Sequence, residues 1–220
     1  MRAVLIVTAG LLATAPAAHA APAAQADHWV DAHVSTLGVG GEFGSKVSPH
    51  FSLRAAANAF NYNYDTTSDN IQYTGKLKLG QLGGQVDYRF ADANPFYLTA
   101  GLFANSNKIT ASATPASSTQ VGLTTYTPAQ IGTINADGKY KSSAPYLGLG
   151  WRWGAGTVDF NFEAGAYFQG KPTVTMSATG LLASQPGFQA DLERERQDLQ
   201  NTLNDLATYP VVTFGVGYKF

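Results

Sequence analysis

Val158-Asp-Phe-Asn-Phe-Glu-Ala-Gly-Ala-Tyr-Phe168 is the stretch on which the fold turns. Val158, Phe160, Phe162, Ala164, Ala166 and Phe168 fall on one side of an extended chain; Asp159, Asn161, Glu163, Gly165, Tyr167 and Gln169 fall on the other. Successive side chains of a strand point to opposite faces, so this two-residue period marks a strand with one apolar face. The period recurs on either side. Val212, Phe214, Val216, Tyr218 and Phe220 alternate with Thr213, Gly215, Gly217 and Lys219. Leu147, Leu149, Trp151 and Trp153 alternate with Gly148, Gly150 and Arg152, and Phe96, Leu98, Ala100 and Leu102 with Tyr97, Thr99, Gly101 and Phe103.

A soluble sandwich would turn these apolar faces into a core and the opposite faces to water. The opposite faces, however, are rich in Gly, Ser, Thr and Asn and poor in Lys and Glu. Their few charges carry both signs: Arg54, Asp87, Arg89, Arg152, Asp159, Glu163 and Lys219. A mixed set of this kind can pair across the narrow inner wall of a small barrel, forming a lumenal charge network. The chain therefore reads as all-β, an eight-stranded antiparallel up-and-down transmembrane β-barrel with apolar residues facing lipid. The competing reading is a soluble periplasmic β-sandwich, in which Phe160, Phe162, Phe214 and Val216 would converge on one interior.

Composition agrees with the barrel. The chain has 220 residues with 14 Lys+Arg against 15 Asp+Glu, 23 Gly, 12 Phe, 11 Tyr and 3 Trp. Such a charge balance argues against a nucleic-acid partner, which would select a concentrated positive face. The absence of Cys excludes disulfides, a thiolate metal site and a Cys nucleophile. Charged residues are only 13 %, yet mean hydropathy is −0.10, which fits alternation rather than helical membrane spans. At the N-terminus, Met1-Arg2 and the apolar run Ala3 to Leu12 lead to Ala18-His19-Ala20. This is the pattern of a cleaved secretory signal over residues 1–20, followed by a short segment 21–27 and a barrel over 28–220. Downstream no apolar run is long enough for a helix to cross a bilayer, so any crossing must be made by a closed barrel.

Strands are expected near 28–36, 39–47, 50–64, 71–90, 95–113, 138–153, 156–182 and 208–220, with the first turn near Leu37-Gly38. Short turns fall at Ser48-Pro49-His50, Ala91 to Pro95 and Gly154-Ala155-Gly156, and long ones at Asp65 to Asn70, Thr114 to Asp137 and Ser184 to Thr208. Alternation of short periplasmic turns with long external loops is the asymmetry of outer-membrane barrels. An aromatic girdle is expected at each interface: Phe51, Phe90, Phe96, Trp151, Trp153 and Phe220 at the short-turn end, and Tyr62, Tyr64, Tyr73 and Tyr140 at the long-loop end. Leu77 and Leu79 break parity with Val86, Tyr88 and Phe90, and a bulge at Gly80, Gly83 and Gly84 would absorb the extra residue. Phe188, Leu192, Leu199, Leu203 and Leu206 form a helical stripe, predicting one extracellular loop helix at about 185–207, capped by Ser184 and with Pro186 in its first turn. The Ser/Thr/Gly/Ala-rich stretch 114–137 reads as a flexible surface loop, although it could also prolong the walls.

Tyr73-Thr-Gly-Lys-Leu-Lys-Leu79, Ala144-Pro-Tyr-Leu-Gly-Leu-Gly-Trp151, Phe168-Gln-Gly-Lys-Pro172, Ala178-Thr-Gly180 and the ending Tyr209 to Phe220 also carry a resemblance. Together they make the chain similar to small outer-membrane barrels of the OmpA/OmpX/OmpW type, within a largely uncharacterised proteobacterial outer-membrane family. The resemblance implies a scaffold and imports no catalytic residues, cofactor or metal. Terminal Phe220, with its alternating apolar predecessors, resembles the assembly signal read by the barrel-insertion machinery. Expected partners are therefore outer-membrane lipid and lipopolysaccharide, with that machinery and periplasmic chaperones during assembly, around a monomer.

Candidate chemistry is sparse. His33-Val34-Ser35 has the spacing of the His-x-Ser pair in barrel lipid A deacylases, since residues two apart on a strand share a face and a hydroxyl needs a base to attack. It lies in the first strand instead of near the chain's end. His28, Asp31 and His33 are possible metal ligands, but a strand divides them between two faces. Asp65 and Asp69 could bridge calcium or lipopolysaccharide, and solvated loop carboxylates are the plainer reading. Lys76 and Lys78 could reach anionic headgroups if directed outward; with Leu77 and Leu79 facing lipid they would be lumenal or at the rim. The expected function is a non-enzymatic outer-membrane barrel with an envelope-structural or surface-interaction role. Alternatives are a narrow channel for a small or hydrophobic solute, and a lipid A-modifying enzyme.

Overall fold

The computed structural model describes residues 28–91 and 94–220; the signal peptide and segment 21–27 expected from the sequence lie outside them. In chain order the elements are β1 (His28–Ser35), β2 (Gly38–Lys46), β3 (Phe51–Ser68), β4 (Ile71–Tyr88), β5 (Phe96–Asn105), β6 (Lys108–Pro115), β7 (Thr119–Val121), β8 (Thr124–Tyr126) and α1 (Pro128–Ile131). They continue with β9 (Ile134–Lys139), β10 (Ser143–Ala155), β11 (Val158–Phe168), β12 (Thr173–Ala178), α2 (Pro186–Asn204) and β13 (Thr208–Lys219). Strands β1, β2, β3, β4, β5, β10, β11 and β13 pair in that order, and β13 pairs back to β1. All these pairings are antiparallel. The result is a closed eight-stranded up-and-down barrel, whose closure satisfies every strand edge.

Its polarity is inverted relative to a soluble sandwich. Phe160, Phe162, Phe214 and Val216 are 37 %, 36 %, 46 % and 45 % exposed on the outside, whereas Asp159 and Ser52 are fully buried inside. The cause is the period of the sequence: with unbroken registers, each apolar set of β10, β11 and β13 lands on the outer wall together. Eight strands leave an interior just wide enough for side chains to fill.

Above the barrel the wall continues as a second, open sheet. The β3–β4 hairpin runs beyond the rim to a two-residue turn, and β6, β9 and β12 pair onto it in succession. Asp69 and Asn70 both have positive φ, 51° and 60°, the mirror-image turn that suits strand twist. The expected long loop at Asp65 to Asn70 is therefore replaced by strand nearly to its tip. Likewise three expected strands are each divided: 95–113 at Ser106-Asn107, 138–153 at 140–142, and 156–182 at 169–172. At the first break β4 exchanges its partner β5 for β6. Asn107 bridges the gap, accepting from the Gly80 N–H at 3.1 Å and donating to Gln169 at 2.8 Å. The stretch 114–137 is ordered into β7, β8, α1 and β9 and is not a flexible loop.

The expected bulge is absent. β3 and β4 keep one register from Phe51↔Tyr88 to Ser68↔Ile71. Leu79 is buried on the inner side with Gln81, Gln85 and Asp87, while Lys76 and Lys78 are exposed on the outer side. What changes at Gly80 is the polarity of the two faces. Below it the outside is apolar; above it Lys76, Lys78, Thr110, Ser112, Asp137, Thr173 and Thr175 share the outside. Leu77, Ile109, Ile134, Val174 and Met176 share the inner side. The upper sheet thus has the amphipathicity of a water-soluble one, and α2 covers part of its apolar face.

The helix falls where the stripe predicts it, with Pro186 in its first turn. Its N-cap is Gln185, without a side-chain cap bond, so Ser184 does not cap it. Phe188 and Leu192 are almost completely buried with Val121, Tyr126 and Ile131 in a core above the barrel.

Candidate functional site: a two-storey lumen

The inward positions of the barrel build the lumen in two layers. The lower layer is ionic. Arg54 on β3 reaches Asp87 and Glu42 at 2.8 Å each and Glu163 at 2.6 Å. Arg152 on β10 reaches Asp31 and Glu42 at 2.8 Å and Asp159 at 3.1 Å. Glu42 on β2 therefore clasps both guanidinium groups, one on each carboxylate oxygen. The remaining donors fit around this core. Trp29 Nε1 donates to Glu42 at 3.2 Å, the Tyr97 hydroxyl to Glu163 at 3.0 Å, and Asn161 to Asp31. Arg152 also stacks on the Trp29 ring at 4.6 Å, and Arg54 on Tyr97 at 5.3 Å. Buried charge is tolerated only when paired and hydrogen-bonded, and both conditions hold here.

Inner-wall glycines make room for these rings. A Cβ on Gly44 would stand 2.0 Å from the Trp29 ring, and one on Gly150 would stand 2.5 Å from Tyr97. The upper layer is aromatic and aliphatic: Leu37, Ala56, Phe103, Tyr146, Tyr167 and Val211 are buried together. Phe103 meets Tyr146 and Tyr167 edge-on at 6.2 and 5.9 Å. Between the layers is a cavity of about 30 Å3, touched by His33, Glu42, Arg54 and Glu163. At roughly 10–15 Å3 per water it has room for two or three water molecules.

The residues expected in the lumenal network take different places. Arg54, Asp87, Arg152, Asp159 and Glu163 are brought together at its centre. Lys219 lies at the lower margin, 3.3 Å from Asp159. Arg89 is also peripheral, donating to Ser52 at 2.8 Å and lying 5.8 Å from the Tyr97 ring. Asp31 and Glu42 complete the network, and neither is among the seven residues the sequence marks. Their inward parity was visible for Asp31, flanked by Val30 and Ala32, but Glu42 sits in Gly-Val-Gly-Gly-Glu-Phe-Gly, where glycine hides the alternation.

The lower aromatic belt lies outside the barrel. Phe51, Phe90, Trp151, Trp153 and Phe220 are exposed, and Phe96 is half-buried against Trp151 at 4.8 Å. Tyr88, Tyr218 and Phe43 join it, Tyr88 between Phe51 and Phe90 at 5.3 Å from each. The upper girdle is not on the outer face. Tyr62, Tyr64 and Tyr73 share the inner face of the hairpin with Leu77 and Leu79, and Tyr140 is half-buried in the loop before β10. The unbroken β3–β4 register puts Tyr62, Tyr64 and Tyr73 on that face, where they stay exposed.

His33 Nε2 is hydrogen-bonded to Asn58 Oδ1 at 2.7 Å. The Ser35 hydroxyl donates to Gly38 O at 3.3 Å and accepts from Leu37 N–H at 3.1 Å, serving the β1–β2 turn. Both side chains are thus engaged away from each other. His28 stacks on Phe43 outside the barrel, and Asp31 belongs to Arg152. Asp65 lies on the outer face opposite Thr74, and Asp69 in the hairpin turn accepts from Ser68.

An outward apolar wall, an inward ionic layer and an aromatic plug define a small, internally filled barrel. In fold the chain is similar to two crystal structures from Acinetobacter baumannii. CarO has 21 % identity and a TM-score of 0.59 over 87 % of this chain and 97 % of that one. CarO2 has 19 % identity and a TM-score of 0.61 over 88 % and 98 %. No family model and no curated protein matches the sequence.

Proposed function

We propose that the protein is a non-enzymatic, monomeric integral outer-membrane barrel with a shut lumen, in which the cylinder is a rigid anchor for the upper sheet and α2. Its role is envelope-structural or surface-interacting. The observation that carries this reading is Glu42 clasping Arg54 and Arg152 across the lumen. Opening a path would strip paired charges of their partners, and the adjoining cavity has room for only a few waters. The length of β5, β11 and β13, at 10, 11 and 12 residues, suits tilted strands that cross a bilayer in roughly 9–11 residues. Exposed Phe214, Val216, Tyr218 and Phe220 support recognition of the last strand by the insertion machinery, with chaperone escort before it.

Three measurements test the proposal. Cell fractionation is expected to place the protein in the outer membrane, with heat-modifiable gel migration. Reconstituted in planar bilayers, the wild-type barrel is expected to give no steady single-channel steps; reproducible steps would instead establish the narrow-channel reading. Lipid A from cells with and without the gene is expected to have the same mass spectrum, and a difference would favour a lipid-modifying enzyme.

A further inference from the structure

At the height where the wall exchanges polarity, Lys78, Lys108 and Lys139 stand directly opposite one another on β4, β6 and β9. Adjacent strands are about 4.8 Å apart, and like charges placed directly opposite repel. Lys76 lies one pair higher on the same face. Asp137 offsets part of this charge through Lys108, at 2.7 Å, and the strip remains predominantly cationic. Just below it, where the chain passes from β5 to β6 alongside Gly80 of β4, a groove of about 310 Å3 opens on the outer wall. Gly80, Leu82, Ala104 and Ser106 line it. Beneath the groove the wall is apolar, with Leu82 and Leu102 65 % and 60 % exposed.

From top to bottom, this outer surface offers ammonium groups, then a cleft, then an apolar slope. A ligand matching that order has phosphate groups above a compact polar body and acyl chains below. We propose that Lys76, Lys78, Lys108 and Lys139 bind the phosphates of a phosphorylated glycolipid of the surrounding leaflet, its sugar seated at the Gly80–Ser106 groove and its chains lying along Leu82 and Leu102. Asn61 and Asn63, paired with Lys78 and Lys76, extend the strip with amides suited to sugar hydroxyls. Bound phosphate relieves the repulsion between opposed lysines, so binding and wall stability are coupled. This inference rests on the outer-membrane reading above.

The test is native mass spectrometry of the detergent-solubilised full chain titrated with bis-phosphorylated lipid A. A juxtamembrane cation contributes enough to lipid attraction that the K78Q/K108Q/K139Q triple variant is expected to bind at least about tenfold more weakly than wild type. Heat-modifiable migration reports whether that variant folds. If it does not, single K139Q is expected to weaken binding about threefold. Dephosphorylated lipid A is expected to bind wild type as weakly as the triple variant binds the intact lipid. Equal binding by wild type and a folded variant, equal binding of both lipids, or displacement of the lipid by millimolar inorganic phosphate would each overturn the inference. A protein found in the outer-membrane fraction but failing these tests sinks the lysine strip alone; a protein found in the soluble fraction sinks the localisation on which the strip rests.

Discussion

Glu42 holds two guanidinium groups that belong to opposite parts of the wall. Its replacement therefore acts on both sides of the lumen. Glu42→Gln is expected to destabilise the barrel by about 1–3 kcal/mol, because each guanidinium loses a charge-assisted hydrogen bond while keeping two other carboxylates; the midpoint of heat-modifiable unfolding in detergent measures it. Gly44 offers a steric counterpart. A methyl group there meets the Trp29 ring, so Gly44→Ala is expected to cost about 1–3 kcal/mol and to shift the tryptophan emission as the ring leaves its place over Arg152. At this scale the sequence was legible in parity and illegible in partnership. Arg54, Asp159 and Glu163 could be assigned inward from their neighbours, but only the staggered closure of the wall brings Arg54 to Glu163, far away in the chain. Glu42, surrounded by glycines, carried no visible alternation at all.

The upper sheet and α2 behave as an element in their own right. The free edge of β12 is shielded by the helix: Gln200 accepts from Val174 N–H at 3.1 Å, and Leu203 lies against Gly138. Asp191 ties the helix to the β7–β8 hairpin, accepting from Leu123 N–H at 3.2 Å and from the Tyr126 hydroxyl at 2.8 Å. Hydrogen bonds from Thr124 and Tyr126 hold its carboxyl below the ordinary 3.8, at about 2. A depressed acid stabilises the folded form at pH above its unfolded value and ceases to do so as pH falls through the folded one. The hairpin is therefore expected to stay docked at neutral pH and to loosen as pH drops from about 3.8 to about 2, read as accelerated proteolysis near Gly122; Asp191→Asn is expected to abolish that step. Replacing Pro186–Asn204 by a flexible linker of equal reach should leave heat-modifiable migration intact, since Phe188 and Leu192 pack above the barrel. The helix was readable because five apolar residues repeat at helical spacing. The sheet beneath was not, because Ala, Ser and Thr on β6 and the short mixed run Ile-Asn-Ala-Asp-Gly-Lys of β9 give weak contrast between faces. The apparent parity break at Leu77 and Leu79 is a change of environment along one straight strand.

For the molecule as a whole, two zones follow from one continuous wall. The barrel has no edge, and the upper sheet ends at β12. Amides of β1, β11 and β13 are therefore expected to exchange at least ~100-fold more slowly than those of β6, β9 and β12, as hydrogen-exchange mass spectrometry in detergent can measure. Equal rates would mean that the two zones open together. Pairing of β1 with β13 sets Trp29 against Lys219 and Ser35 against Thr213. This seam joins segments almost a whole chain apart in sequence, so it is the slowest contact to find and cannot precede delivery of the final strand. Once zipped it leaves no place from which fraying can begin. Durability here is kinetic: escape requires tearing one ladder open along its entire length.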